Sequence, residues 1–148
     1  TAGAIIEIII KNCPTGLGNP VFDKLEADLA KGMLSIGAVK GFEIGSGFSG
    51  VTLKGSEHND QIQMKNGRVH FASNHAGGTL GGISTGQDIV MRLAIKPVSS
   101  IPKPQKTISK SHKNAIIQTF GRHDCCIAPR VIPVAEAMAA LTLVDHLL

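Results

Sequence analysis

Between Gly121 and Cys126 the chain reads Gly-Arg-His-Asp-Cys-Cys, so a guanidinium, an imidazole, a carboxylate and two thiols follow one another. On extended backbone Arg122 and Asp124 would share one face, an anion clamp beside a carboxylate able to move a proton. The plainer alternative is a surface ion pair next to a buried thiol. Lys96-Pro97-Val98-Ser99-Ser100 joins one point charge to a hydroxyl-rich turn, a donor set that suits a phosphate. Its alternative is a solvated lysine ahead of an ordinary turn. The segment Ser73 to Gly86 gathers Gly77, Gly78, Gly81, Gly82 and Gly86 beside Asn74 and His75. Backbone without Cβ atoms can turn through positive φ and aim N–H groups at an anion or a planar ring, so this segment predicts the rim of a ligand site, with a mobile surface loop as the alternative. Its spacing matches neither a Walker loop nor a dinucleotide fingerprint.

Other chemistries find less support. Zinc needs four nitrogen or sulfur ligands, and His123 with Cys125 and Cys126 has only the isolated His112 and Cys13 as further candidates. A Cys-His nucleophile would lack an orienting third group. His58, His75 and His123 fall in polar or glycine-rich loops, whereas His146 sits in the last helical segment and predicts a packing or capping role.

The 148 residues fit one domain, and a 43% apolar content fits a globular chain. Trp and Tyr are absent and Phe occurs five times, which argues against base stacking and nucleic acid. A net charge of +4 from scattered Lys and Arg favours a small phosphorylated or carboxylated ligand. Three cysteines, two of them vicinal, point to a reducing, cytoplasmic setting. The longest apolar segment carries Glu136, Asp145 and His146, so neither secretion nor membrane insertion is expected. The start in an isoleucine run and the stop at Leu147-Leu148 predict a piece of a longer polypeptide.

These residues must be held by regular elements. Ala4 to Lys11 reads as a strand, followed by a helix capped by Asn19, opened by Pro20 and carrying Phe22, Leu25, Leu29 and Met33 on one face. Strands are expected at Val39 to Ile44 and Phe48 to Lys54, then a polar knot at Gly55 to Asp60 and an Asn66-Gly67 hairpin turn before Val69 to Ala72. Gln87 to Lys96 alternates, with Ile89, Met91, Leu93 and Ile95 on one face and Arg92 and Lys96 on the other, open to solvent or ligand. Pro97, Pro102 and Pro104 make residues 97 to 121 an extended loop or short excursion. Pro133 to Leu148 is a helix apolar nearly all round, which implies burial between layers. The sum is an α+β fold, antiparallel or mixed sheet packed on buried helices.

Several of these segments, taken in order, resemble the C-terminal part of the chorismate synthase family. They are Gly16-Leu17-Gly18, Pro20 to Leu25, Ala38 to Gly45, Gly55 to Asp60, the Asn74 to Ser84 glycine segment, Lys96-Pro97 with Ser99-Ser100, Pro104 to Thr107 and Gly121 to Asp124. The resemblance runs through essentially the whole chain. It implies a lyase that converts 5-enolpyruvylshikimate 3-phosphate to chorismate by 1,4-anti elimination of phosphate, using reduced FMN, with NADPH among the associated cofactors. It also implies homotetramers in which helices are sandwiched between antiparallel sheets. By the same resemblance Gly37, Ala38, Gly81, the Lys96-Pro97-Val98-Ser99-Ser100 turn and Arg122 would touch FMN, with Lys96 and the hydroxyls at its phosphate. Arg122 would also hold substrate anions, Asp124 would assist proton removal, and Asn74, Ala76 and Gly77 would line the site. Two departures stand out. Cys125 replaces a common proline, and the N-terminal family pattern, with two histidine acids, an arginine-rich pocket and a Ser-Ser-Ala-Arg flavin motif, does not occur. The chain alone is therefore expected to be inactive, with a non-catalytic flavin-binding, anion-binding or assembly module as the alternative.

Overall fold

The computed structural model describes residues 1–148. Its centre is β7, Ile89–Ile95, whose alternation buries Ile89, Met91, Leu93 and Ile95 in turn. Strands β1 (Ala4–Ile10) and β2 (Val39–Ile44) flank it, both antiparallel, in the order β1-β7-β2. Register places Ile6 and Phe42 opposite Leu93, and Ile8 and Ile44 opposite Met91, so one face of the sheet is apolar throughout. A bulge between Val39 and Gly41 bends the start of β2.

That apolar face is covered by two helices. The first, α1 (Leu25–Leu34), buries Leu25, Leu29 and Met33 at helical spacing and packs on β2. The second long helix, α3 (Ala128–Leu147), lies against β1 and α1 and buries Ala128, Val131, Ala135 and Ala139. Small residues on α3 let the helices approach closely, and Asp28 and His146 face each other across them at 3.2 Å. The α+β class with antiparallel sheet is thus as the sequence predicts.

A 3-10 helix, one helical turn and three two-stranded ribbons complete the chain. A 3-10 helix at Gly47–Thr52 leads to the single helical turn α2 (Gly55–His58) and then to the hairpin β3 (Ile62–Lys65) and β4 (Arg68–Phe71). Two-residue strands β5 (Thr79–Leu80) and β6 (Ile83–Ser84) pair around Gly81-Gly82, and β8 (Gln105–Ile108) pairs with β9 (Asn114–Ile117).

Four elements differ from the sequence expectation, each for a local reason. Helix α1 begins at Leu25, not Pro20, because Asn19 and Asp23 pair in a bridge that turns the chain at Pro20 to Phe22 and leaves Phe22 91% exposed. The strand expected at Phe48 to Lys54 is the 3-10 helix. There the Glu43 carboxylate accepts the Phe48 N–H, and the Ser49 and Thr52 hydroxyls donate back to carbonyls three residues earlier. Prolines hid a hairpin within 97 to 121. It pairs only with itself, and its strands are almost wholly exposed. The last helix starts five residues before Pro133, which lies inside it. Its outward side, with Val134, Leu141 and Val144, is exposed here, so the helix buries one face and not its whole circumference.

Candidate functional site

Side chains with functional chemistry collect at the two opposite ends of the central sheet. One end is built where β1 and β2 begin and β7 finishes. The Lys96 N–H donates to the Ala38 carbonyl at 2.9 Å, which ties the Lys96–Ser100 turn to the entry of β2. Ala38 holds φ of +72°, a conformation that turns the chain sharply, and the neighbouring Gly37 has open space around it. The Thr1 hydroxyl donates to the Val98 carbonyl at 2.8 Å, and the Ala2 N–H to the Cys125 carbonyl at 2.8 Å, so residues 1 and 2 bridge the turn to the 121–126 segment. Lys96, Pro97, Ser99 and Arg122 are exposed, Val98 and Ser100 half-buried.

The Arg122 to Cys126 segment pairs with no strand. Asp124 instead pairs with Arg130 of the first turn of α3 at 3.2 Å, and no carboxylate pairs with Arg122. His123, between them, points its ring inward, with Nδ1 3.1 Å from the Ser100 Oγ and Nε2 buried and without a hydrogen-bond partner. The Ser100–His123 contact thereby joins the turn that carries Lys96, Ser99 and Ser100 to the segment that carries Arg122 and Asp124. Together they offer two unpaired cations, hydroxyl donors and a carboxylate held by an arginine.

The other end is formed where β7 begins, and it carries Asn74, Ala76, Gly77 and Gly81. Val90 bonds to Gly77 at this end and Lys96 to Ala38 at the first, so about 20 Å of strand at ~3.4 Å per residue separates the two groups. The glycine segment does meet an anion, but the anion is the chain's own Asp60. Its carboxylate accepts the Ser73 hydroxyl at 2.6 Å, the His75 N–H at 2.8 Å and the Ala76 N–H at 2.8 Å. Burial would raise the Asp60 pKa, yet those three hydrogen bonds together with the nearby His75 outweigh it and hold the carboxyl below its ordinary value. Asn74 closes the loop from the other side, accepting the Gly78 N–H at 2.7 Å and donating to the Asp88 carbonyl at 2.8 Å. Gly77 is buried against Gly45, where a Cβ would run into the Gly45 backbone nitrogen. Gly81, by contrast, is exposed at the tip of the β5–β6 turn with nothing near it.

Sequence reasoning left several contributors out. Asp60 was visible only as part of a polar run. Ser84, buried, holds the Leu17 N–H and the Pro14 carbonyl and so fixes the loop after β1. The Ser84 contact partly offsets the burial that pushes the Cys13 thiol up. Arg92, on the cationic face of β7, is occupied by Glu43 at 2.7 Å and by the Gly45 carbonyl, so Lys96 is the cation of that strand left free. Cys13 stands beyond the end of β1 and Cys125 and Cys126 beside its start, and no three metal-ligating side chains converge. No helix is long and apolar enough to cross a membrane.

The geometry can be set beside known proteins. A family model described as chorismate synthase matches residues 1–148. The chain is 57% identical over 147 residues to a chorismate synthase of Paramagnetospirillum magneticum, and 56% over 149 residues to one of Methanosarcina mazei. It is 52% identical over 149 residues to one of Trichodesmium erythraeum. These matches cover 99 to 100% of this chain and 40 to 41% of the relatives, so the chain spans about two fifths of their length. A solved crystal structure of a chorismate synthase superposes with a TM-score of 0.78 at 32% identity, covering 98% of this chain and 37% of that one.

Proposed function

We propose, from the premise that this chain belongs to the chorismate synthase family, that it supplies the phosphate-holding and proton-accepting part of a lyase. The reaction would be the 1,4-anti elimination of phosphate from 5-enolpyruvylshikimate 3-phosphate to give chorismate, a step of the shikimate pathway. The observation that carries this reading is the Ser100–His123 contact, which joins the turn bearing Lys96 and Ser99 to the segment bearing Arg122 and Asp124.

The residues at the Lys96 end of the sheet fit FMN. Lys96 is exposed, Ser99 and Ser100 add hydroxyls, and the backbone at Gly37 is open to close approach. Together they can take a phosphoryl group by one charge and several directed donors. Pro97 and Val98 set the path of the turn between them. Arg122, free of any carboxylate, would hold flavin or substrate anions. The chemistry asked of the reduced cofactor is transient electron donation while phosphate leaves, with no net redox change. Asp124 would take the ring hydrogen as a proton on its carboxylate, and Arg130 fixes the direction in which that carboxylate points. Asn74, Ala76, Gly77 and Gly81 would form a second rim at the far end of β7, with the Asp60 carboxylate shaping the loop beneath them.

Homotetrameric assembly belongs to the same reading, as does the N-terminal portion that the longer relatives carry. An assembly module is the second reading, favoured by the exposed apolar side of α3 and by Ile5 and Ile9 on the open face of β1. Anaerobic chorismate formation from 5-enolpyruvylshikimate 3-phosphate with reduced FMN separates the two. The assay is run on this chain and on the chain joined to the N-terminal portion its relatives carry. Turnover only in the joined chain is expected. Turnover by this chain alone overturns the expectation that it is inactive without that portion, and none from either favours the assembly module.

A further inference from the structure

The contact between Ser100 and His123 joins the Lys96 turn to the segment that bears Arg122 and Asp124, and it leaves one question of chemistry to decide. At 3.1 Å, either the serine hydroxyl donates to Nδ1 or an Nδ1–H donates to the hydroxyl oxygen. The other ring nitrogen decides between them. Nε2 is buried and has no partner, and Gly121, at φ of +136°, folds the chain back over it, so that a Cβ built there would stand 3.7 Å away. If Ser100 donated to Nδ1, neutral His123 would carry its proton on Nε2, a buried N–H bonded to nothing. Such orphaned donors are rarer in proteins than under-satisfied acceptors, and one costs about 1–3 kcal/mol. With the proton on Nδ1, the buried atom is only a bare acceptor and His123 donates to the serine oxygen. The hydroxyl proton of Ser100 is then turned away from the ring and free to be given to an anion.

We propose that His123, in its Nδ1–H tautomer, is a positioning residue that turns the Ser100 hydroxyl into a donor for the phosphoryl group of the flavin. This rests on the flavin reading of the Lys96–Ser100 turn. His123 touches no ligand itself. It acts through Ser100, and by the same bond it holds the turn in register with the 121–126 segment. The other polar contacts of that segment with the rest of the chain are the Ala2–Cys125 backbone bond and the Asp124–Arg130 pair, and neither controls a hydroxyl.

The test compares FMN with riboflavin, which lacks the phosphate, on the protein at the length of its relatives. Dissociation constants are measured for the native protein, S100A, H123F, H123N and the S100A/H123F pair. Losing one hydrogen bond to a charged phosphate is expected to weaken FMN about 10-fold in S100A and in H123F, with no further loss in the pair and riboflavin binding unchanged. H123N places an amide donor near the Nδ1 position and is expected to restore FMN affinity to within about 3-fold of native. Nitrogen-15 spectra of labelled histidine should show the proton of His123 on Nδ1 in the free protein. A proton on Nε2, H123F binding FMN like the native protein, or equal loss of FMN and riboflavin would each overturn the proposal. If the native protein binds FMN no more tightly than riboflavin, the flavin-phosphate reading fails and takes this proposal with it.

Discussion

Two aspartates illustrate how much a carboxylate's surroundings decide. Asp124 is tied by one contact to an arginine that is itself 68% exposed, so it remains accessible to a reacting proton. Replacing it in the protein at family length, as D124N, is expected to lower turnover about 10²–10⁴-fold, the usual contribution of a positioned acid or base, with little change in FMN affinity. Retained turnover would remove Asp124 from the mechanism. Asp60 is locked by three donors, and losing it should cost stability instead. D60N is expected to lower stability at neutral pH by about 1–3 kcal/mol, since two backbone N–H groups lose a charged acceptor. The folded carboxyl titrates below its unfolded value, so its contribution is full above about pH 4 and fades as pH falls through the lower, folded value. The melting-temperature gap between D60N and native protein should therefore narrow under acid, and a constant gap would contradict the assignment. The Arg-His-Asp run and the Lys96 turn were legible as chemistry because they are contiguous. Asp60 was not, because its partners Ser73, His75 and Ala76 come more than ten residues later and are joined to it only by folding.

At the scale of elements, alternation and helical spacing identified what the core demands. Ile89, Met91, Leu93 and Ile95 follow the period of two, and Leu25, Leu29 and Met33 that of a helix, because each must face the same apolar layer. The misplaced elements are those set by side-chain and long-range contacts that apolar periodicity does not register. The start of α1 is set by the Leu25 N–H bonding to the Gly82 carbonyl, and the 3-10 helix by Glu43. The glycine loop gives a sharp comparison within one element. G77A would place a Cβ against Gly45 at φ of +71°, whereas G81A, at φ of +61°, meets open space. G81A is expected to cost about 1–2 kcal/mol for the left-handed backbone alone, and G77A clearly more, because packing must also give. Denaturant melts of the two variants check this, and equal losses would refute the packing argument.

On the scale of the whole molecule, the sheet has a covered face and an open one, and α3 buries one side, with Ala128, Val131, Ala135 and Ala139. Val134, Leu141 and Val144 lie exposed along its outer side. Apolar surface of this kind marks an interface, so the isolated chain is expected to associate as its concentration rises, and L141E/V144E to shift it toward monomer in sedimentation velocity. A native chain that stays monomeric throughout would show that this side needs no cover.

The strand pairing also has a consequence in time. Ile6 meets Leu93 and Ile10 meets Ile89, so the ladder between β1 and β7 waits until β7 has been made. At ~5–20 residues per second, that edge of the isoleucine run waits on the order of 4–16 s for its partner. Only Glu7 interrupts it with charge, the gatekeeper pattern that slows aggregation of an unavoidable apolar strand. The 78 residues between β1 and β7 thus set a delay for the central sheet, and a slower passage through residues 11 to 88 would lengthen it.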